Sequence, residues 1–235
     1  METKYKRVLL KLSGEAISGG SEGILNFDFI GKIAEVLKKC VADGVEVAII
    51  VGAGNIWRGA KGVGMDRPRA DSMGMLATII NALGLEDEFN RRGLPSVVMT
   101  AVEISEFAEV YNANKAKRYL SEGKVVIIGG GTGNPFFTTD TAAALRAAEL
   151  SVDAMLMAKN IDGIYTADPK KDPTAVRYDE ITYGEIIDKQ LRAIDLTAAS
   201  FCMDNNITAY AFELKDPENI YRAVKGEKVG TEIHI

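Results

Sequence analysis

The chain has a single histidine, His234, next to the last residue of 235. A Ser-His-Asp triad, a Cys-His pair or a multi-histidine metal site on a rigid core is therefore excluded. Cysteine is equally scarce: Cys40 and Cys202 stand far apart and form no CxxC. No disulfide framework is expected, and the usage reads as that of a reducing, cytoplasmic compartment. No stretch approaches 18 apolar residues, so no membrane span is expected. The segment METKYKR at 1–7 is polar and the apolar run behind it is short and holds Lys11, so no secretory signal is expected either. A basic excess is also missing: Lys+Arg 28 against Asp+Glu 33 gives a net charge of −5. Neutralising a nucleic-acid backbone needs a basic surface, so nucleic acid is excluded as a general partner. A local site for a small phosphorylated ligand is not.

What is present is ordinary for a globular protein, with 47% apolar and 26% charged residues. The length suffices for a core without disulfide or metal staples. Six short apolar runs recur: Val8–Leu12, Val45–Val51, Ser96–Val102, Val125–Ile128, Ala154–Ala158 and Ile207–Phe212. Their apolarity is continuous rather than alternating, as in strands covered on both faces of a parallel sheet. Between them, helices are predicted over Asp28–Asp43, Ala70–Arg92, Asn112–Glu122 and Thr139–Leu150. Gly44, Gly93 and Gly123 serve as stops for the first three. In the second, Met73, Leu76, Ile80 and Leu83 form one apolar stripe, and Met73 and Met75 are expected in the core. Strand–helix alternation of this length predicts an α/β fold with an open, mainly parallel central sheet sandwiched by helices. One domain over 1–235 is expected, with two functional halves meeting near Gly123–Pro135.

Ligands of open α/β sheets bind at the carboxyl ends of strands. Three glycine-rich turns fall there: Lys11-Leu12-Ser13-Gly14-Glu15, then Gly52-Ala53-Gly54-Asn55-Ile56-Trp57-Arg58-Gly59, then Gly129-Gly130-Gly131-Thr132-Gly133-Asn134-Pro135. Bare amide hydrogens of such turns cradle phosphate oxygens, and Lys11 and Arg58 add positive charge. Neither GxxxxGK[ST] nor GxGxxG with a downstream acid occurs, which argues against a P-loop enzyme and a dinucleotide fold.

The string Lys11–Ala16 (KLSGEA), the segment Ala70–Thr78 (ADSMGMLAT), Gly131–Asp140 (GTGNPFFTTD), Asp162–Pro169 (DGIYTADP) and Asp195–Ala199 (DLTAA) together resemble the amino acid kinase superfamily, in the form of bacterial-type uridylate (UMP) kinases. Matching segments run in order from residue 8 to residue 231. The Asn134–Asp140 string is the most specific, since sibling kinases for acetylglutamate, aspartate, glutamate or carbamate do not resemble it there.

The resemblance implies transfer of the γ-phosphoryl group of ATP to UMP with Mg²⁺, giving UDP and ADP, a step of pyrimidine nucleotide biosynthesis. It implies an amino acid kinase-like fold assembled as a homohexamer, with GTP or UTP as effectors and Ser18–Leu25 as a loop linked to GTP activation. The N-terminal half would bind the acceptor and the C-terminal half ATP. Lys11, Arg58 and Asp195 are the implied catalytic residues. Lys11 would neutralise charge on the transferred group and Arg58 would hold a phosphate through its planar fork. Asp195 would orient the active-site lysines or the metal, although an Asp starting a helical segment is also a good N-cap. Lys11, Leu12, Ser13, Gly14, Gly54, Arg58, Lys159, Asn160, Tyr165 and Asp168 would face ATP.

Gly52, Ala53 and Gly54 would line the UMP side, where relatives often have glycine in place of Ala53. Asp71 would take the ribose hydroxyls, though it also suits the first turn of a helix. Thr132, Asn134 and Thr139 would read uracil and position the acceptor, with Gly133, Pro135 and Thr138 beside them. Phe136 and Phe137 would be walls of that site or plain core. No protein side chain is assigned as a metal ligand. One point of chemistry stands without the resemblance: a phosphate acceptor has a second pKa of about 6 and is already anionic at neutral pH. No general base is required, so a chain with no internal histidine can perform the transfer.

Overall fold

The computed structural model describes residues 3–18, 23–57, 64–191 and 193–235. Among them, nine strands join one sheet: β1 (Arg7–Leu12), β2 (Glu46–Val51), β3 (Ser96–Thr100), β4 (Glu109–Val110), β5 (Val125–Gly129), β6 (Ala154–Lys159), β7 (Glu180–Thr182), β8 (Ala209–Glu213) and β9 (Gly230–His234). Their spatial order is β4-β3-β5-β2-β1-β6-β8-β9-β7. Pairing is parallel throughout except between β8 and β9. All six apolar runs are strands of this sheet. The three unforeseen strands are short or polar: β4 has two residues, β7 three, and β9 reads Gly-Thr-Glu-Ile-His.

Successive strand residues point to opposite faces, and the two cores follow that parity. Val8, Leu10 and Leu12 of β1 join Val47, Ile49 and Val51 of β2 in one cluster, while Leu9, Ala48 and Ile50 join the other. The first face is covered by helices α2 (Phe27–Ala42) and α8 (Glu218–Val224) and the lower part of α3 (Arg67–Arg91). The second face is covered by α4 (Ala113–Ser121), α5 (Thr139–Leu150), α6 (Tyr183–Asp188) and α7 (Leu196–Asp204). A short α1 (Gly14–Ser18) follows β1 directly. Caps explain the starts: the side chains of Asn26, Asn112, Thr138 and Asp195 each accept backbone N–H bonds at the head of α2, α4, α5 and α7. Gly44, Gly93 and Gly123 all have positive φ just past a helix end, as expected of helix stops.

Helix α3 corrects the sequence reading. Its Met73, Leu76 and Ile80 are exposed, the last two at 52%. Met75 is only partly buried, and neither methionine is core. The buried face carries Ala70, Ala77, Thr78, Ile79, Asn81, Ala82, Leu85, Glu88 and Phe89 instead. Small residues are needed because the helix comes very near β5: a Cβ on Gly129 would lie 3.2 Å from Ile79 Cα. Close approach selected Ala77, Thr78, Asn81 and Ala82 on the inward side of this stretch, while Met73, Leu76 and Ile80 face out.

Sheet order places the glycine turns. Strands β5, β2 and β1 are neighbours running in one direction, so all three turns emerge side by side at one rim, with the end of β6 next to them. Lys11 shares the parity of Leu9, and Lys159 that of Met155 and Met157. Both lysines therefore face the α5–α7 side, on adjacent strands paired Lys11↔Met157 and Leu12↔Ala158.

Candidate active site

Two cavities open at this rim. The larger, about 790 Å³, is lined by Lys11, Ser13, Glu15, Lys159, Asn160, Gly163, Tyr165, Asp168, Lys171, Lys189 and neighbours. The smaller, about 410 Å³, is lined by Ala53, Trp57, Arg67, Asp71, Gly74, Met75, Thr78, Gly131, Thr132, Asn134, Phe137, Thr138 and Thr139. Of the residues expected to face ATP, Lys11, Ser13, Lys159, Asn160, Tyr165 and Asp168 line the first; of those expected to face UMP, Ala53, Asp71, Thr132, Asn134, Phe137, Thr138 and Thr139 line the second; Gly14, Gly52 and Gly54 line neither. The exceptions are informative. Leu12 is fully buried and contributes its carbonyl to the Gly52 N–H at 2.8 Å. Gly133 and Pro135 lie outside the lining and shape the turn. Gly133 has positive φ, and a Cβ there would come within 2.9 Å of the Ala101 carbonyl oxygen, so only glycine fits. Arg58 lies outside the described residues, as do residues 19–22 of the Ser18–Leu25 loop.

Ala53 takes the glycine position without strain. Its φ is not in the left-handed region, and its side chain lines the smaller cavity. Gly14 is the residue that cannot change: a Cβ would lie 2.7 Å from Gly54 N. The first two turns are therefore pressed together at the rim. Helix α3 braces the turns from beneath. Asn81, fully buried, donates to the Gly52 carbonyl at 2.8 Å and exchanges hydrogen bonds with Asn55. Three residues earlier, Thr78 Oγ1 accepts the Gly130 N–H at 2.8 Å.

Phe136 and Phe137 are not core; they are 63% and 50% exposed. Phe137 walls the smaller cavity. Phe136, at φ 73°, lies with the Arg67 guanidinium over its ring at 5.8 Å. Asp71 holds this corner, accepting Arg67 Nε at 2.8 Å and the Phe136 N–H at 2.9 Å.

The junction of the cavities carries the charge. Lys11 Nζ is 2.9 Å from Asp140 Oδ1, and both side chains are mostly shielded, 14% and 17% exposed. Asp140 follows Thr139 of the smaller cavity, and Lys11 lines the larger, so their pair stands between the two. Burial pushes the Asp140 carboxyl up, but the Lys11 and Lys159 charges outweigh it and hold it below the ordinary carboxylate value. For Lys159, burial dominates over the attraction of Asp140, and its pKa is lowered. Asp195 stands one step behind: its carboxylate accepts the hydroxyls of Thr138 and Thr141 and the Ala198 N–H at 2.9 Å.

A family model described as the amino acid kinase family matches residues 6–212. This chain belongs to the amino acid kinase family. Among solved structures, UMP kinase from Bacillus anthracis is 38% identical with a TM-score of 0.94, over 98% of this chain and 96% of that one. UMP kinase from Ureaplasma parvum is 36% identical with a TM-score of 0.93, over 99% and 100%. Uridylate kinase from Archaeoglobus fulgidus is 31% identical with a TM-score of 0.74, over 96% and 99%.

In this amino acid kinase, sequence reasoning missed Asp140. The residue stood inside the most specific string, yet in sequence it is one more acid in a helix's first turn. Only the parity of β1 and β6, which aims two lysines at α5, reveals it. Trp57, Arg67 and Met75 were also missed as walls of the smaller cavity.

Proposed function

We propose that the chain transfers the γ-phosphoryl group of ATP to UMP, forming UDP and ADP, with ATP in the larger cavity and UMP in the smaller. The observation that carries the reading is the Lys11–Asp140 pair between the two. A group passing from one cavity to the other must cross in front of a shielded ammonium, where charge spread over equatorial oxygens is neutralised. Lys159, on the neighbouring strand, supports the same charge. The acceptor oxygen is already anionic, so positioning and charge neutralisation suffice. Asp140 orients Lys11, and Asp195 secures the helix start that carries Asp140. Asp71 would exchange its present partners for ribose hydroxyls, and the Gly52–Gly54 turn would hold the acceptor phosphate. Thr132, Asn134 and Thr139 would read the base.

Mg²⁺ would enter on the triphosphate. The rim offers hard oxygen donors in Asp140 and Asp195, both already engaged by protein donors. Such a donor set fits an ion that keeps waters and substrate oxygens rather than an all-protein cage. When bound, the ion supplies further neutralisation of phosphate charge.

The exposed Met73, Leu76 and Ile80 of α3 support a homo-oligomer, here read as the hexamer, with a second copy covering the stripe. Cytoplasmic placement, a role in pyrimidine nucleotide supply and regulation by GTP or UTP belong to the same proposal. ADP release measured with UMP, CMP, AMP and small carboxylates as acceptors tests the reading. Strong preference for UMP is expected, and preference for a carboxylate would overturn it.

A further inference from the structure

Helices α5 and α7 meet with their N-termini together, and Asp195 is the link. Its carboxylate caps α7 through the Ala198 N–H and receives the Thr138 hydroxyl. A third donor is Thr141, whose Oγ1 lies 3.3 and 3.2 Å from the two carboxylate oxygens. Thr141 is buried, third in a helix otherwise rich in alanine, where Ala142, Ala143 and Ala144 follow it into the core. Alanine would serve helix propensity better at this position, and valine would fill the same volume. Neither could donate to Asp195. The hydroxyl is what the site uses. Asp195 thereby grips Thr138 and Thr141, which flank Asp140 in the first turn of α5, and Asp140 faces Lys11 at 2.9 Å.

We propose that Thr141 is a positioning residue for phosphoryl transfer: its hydroxyl ties the first turn of α5 to Asp195, and that turn presents the Asp140 carboxylate to Lys11. The inference rests on the reading of Lys11 and Asp140 as the groups that face the transferred phosphoryl. Thr141 touches neither cavity, so it acts only through this chain of contacts. Loosening it costs alignment at the moment of transfer, not nucleotide affinity.

Steady-state kinetics of the full-length protein with UMP and Mg²⁺-ATP test this on Thr141→Val, Thr141→Ala and Thr141→Ser. Removing a hydrogen bond to a charged group predicts a fall in kcat of about ten-fold or more for both Val and Ala. The KM values for UMP and ATP should stay within about three-fold, because the loss is confined to the transition state. Serine should restore kcat to within about three-fold of the parent, since it returns the donor. Val and Ala change packing in different ways, so matched losses identify the hydroxyl, and Ala carries the test if the Val variant does not fold. The proposal is overturned by a kcat loss under two-fold in the Ala variant, by a serine variant as impaired as alanine, or by a loss confined to KM. Asp140→Asn serves as reference. If it too leaves kcat unchanged, the reading of the Lys11–Asp140 pair fails; if it is impaired while Thr141→Ala is not, only the role of Thr141 fails.

Discussion

The two cavities at the sheet rim are built on different principles. The smaller is walled by Trp57, Met75, Phe137 and two turns, and its charged groups, Arg67 and Asp71, are paired with each other. The larger gathers four lysines, Lys11, Lys159, Lys171 and Lys189, against the acids Glu15 and Asp168. A walled site with paired charges selects by shape and by hydrogen-bond pattern. A lysine-rich one attracts a polyphosphate by charge and discriminates less. At their junction stands the Lys11–Asp140 ion pair, Lys11 lining the larger cavity and Asp140 following Thr139 of the smaller. Damage to the smaller cavity should therefore appear in the acceptor KM, and damage at the junction in kcat.

The largest effect is expected at the junction. Lys11→Ala should lower kcat by about 100-fold or more, the scale for losing one donor to developing charge, while the UMP KM moves by less than about three-fold. Comparable changes in both would erase the distinction between junction and cavity. Next, Asp71→Asn should raise the UMP KM by about ten-fold and leave kcat within about three-fold of the parent, as lost ground-state binding does. An unchanged UMP dependence would remove Asp71 from the acceptor site.

The pH profile sharpens the junction further. Burial lowers the Lys159 pKa, so its charge is present at low pH and is lost, as pH rises, earlier than that of an ordinary lysine. Activity should decline on the alkaline side accordingly. Lys159→Arg, which stays charged throughout, should carry that decline to higher pH, and a limb that does not move would exclude Lys159 as its source. The smallest effect is expected at Ala53. Its backbone is not left-handed, so Ala53→Gly should change stability by no more than about 1 kcal/mol in thermal or denaturant unfolding, and in the destabilising direction. A clear stabilisation would mean that the turn is strained by the methyl group.

Much of this arrangement was legible in the sequence, for stated physical reasons. Continuous apolar runs such as Val8–Leu12 and Val125–Ile128 signal strands buried on both faces, and parallel order follows from the helices between them. The Thr139–Leu150 helix was bounded correctly because its Thr138 cap and alanine content act locally. Helix α3 was not legible in the same way. Met73, Leu76 and Ile80 have the spacing of a core stripe, and that spacing is the same whether the stripe meets the sheet or the outside. What decided the matter was backbone proximity to β5, a tertiary quantity that favoured Ala77, Thr78 and Asn81 inward. Asp140 failed to stand out for a related reason. Its partner lies 129 positions earlier, on a strand whose facing is set only once β1 lies beside β6. Thr78 and Asn81, which hold two glycine turns from one helix face, carried no signal in sequence at all.

A double-mutant cycle on kcat with Lys11→Ala, Asp140→Asn and the two combined tests the central claim most directly. If the ammonium and the carboxylate act as one unit on the transferred phosphoryl, the combined variant should be no more than about three-fold slower than the slower single variant. Losses that multiply in full, each residue contributing independently of the other, would contradict the account.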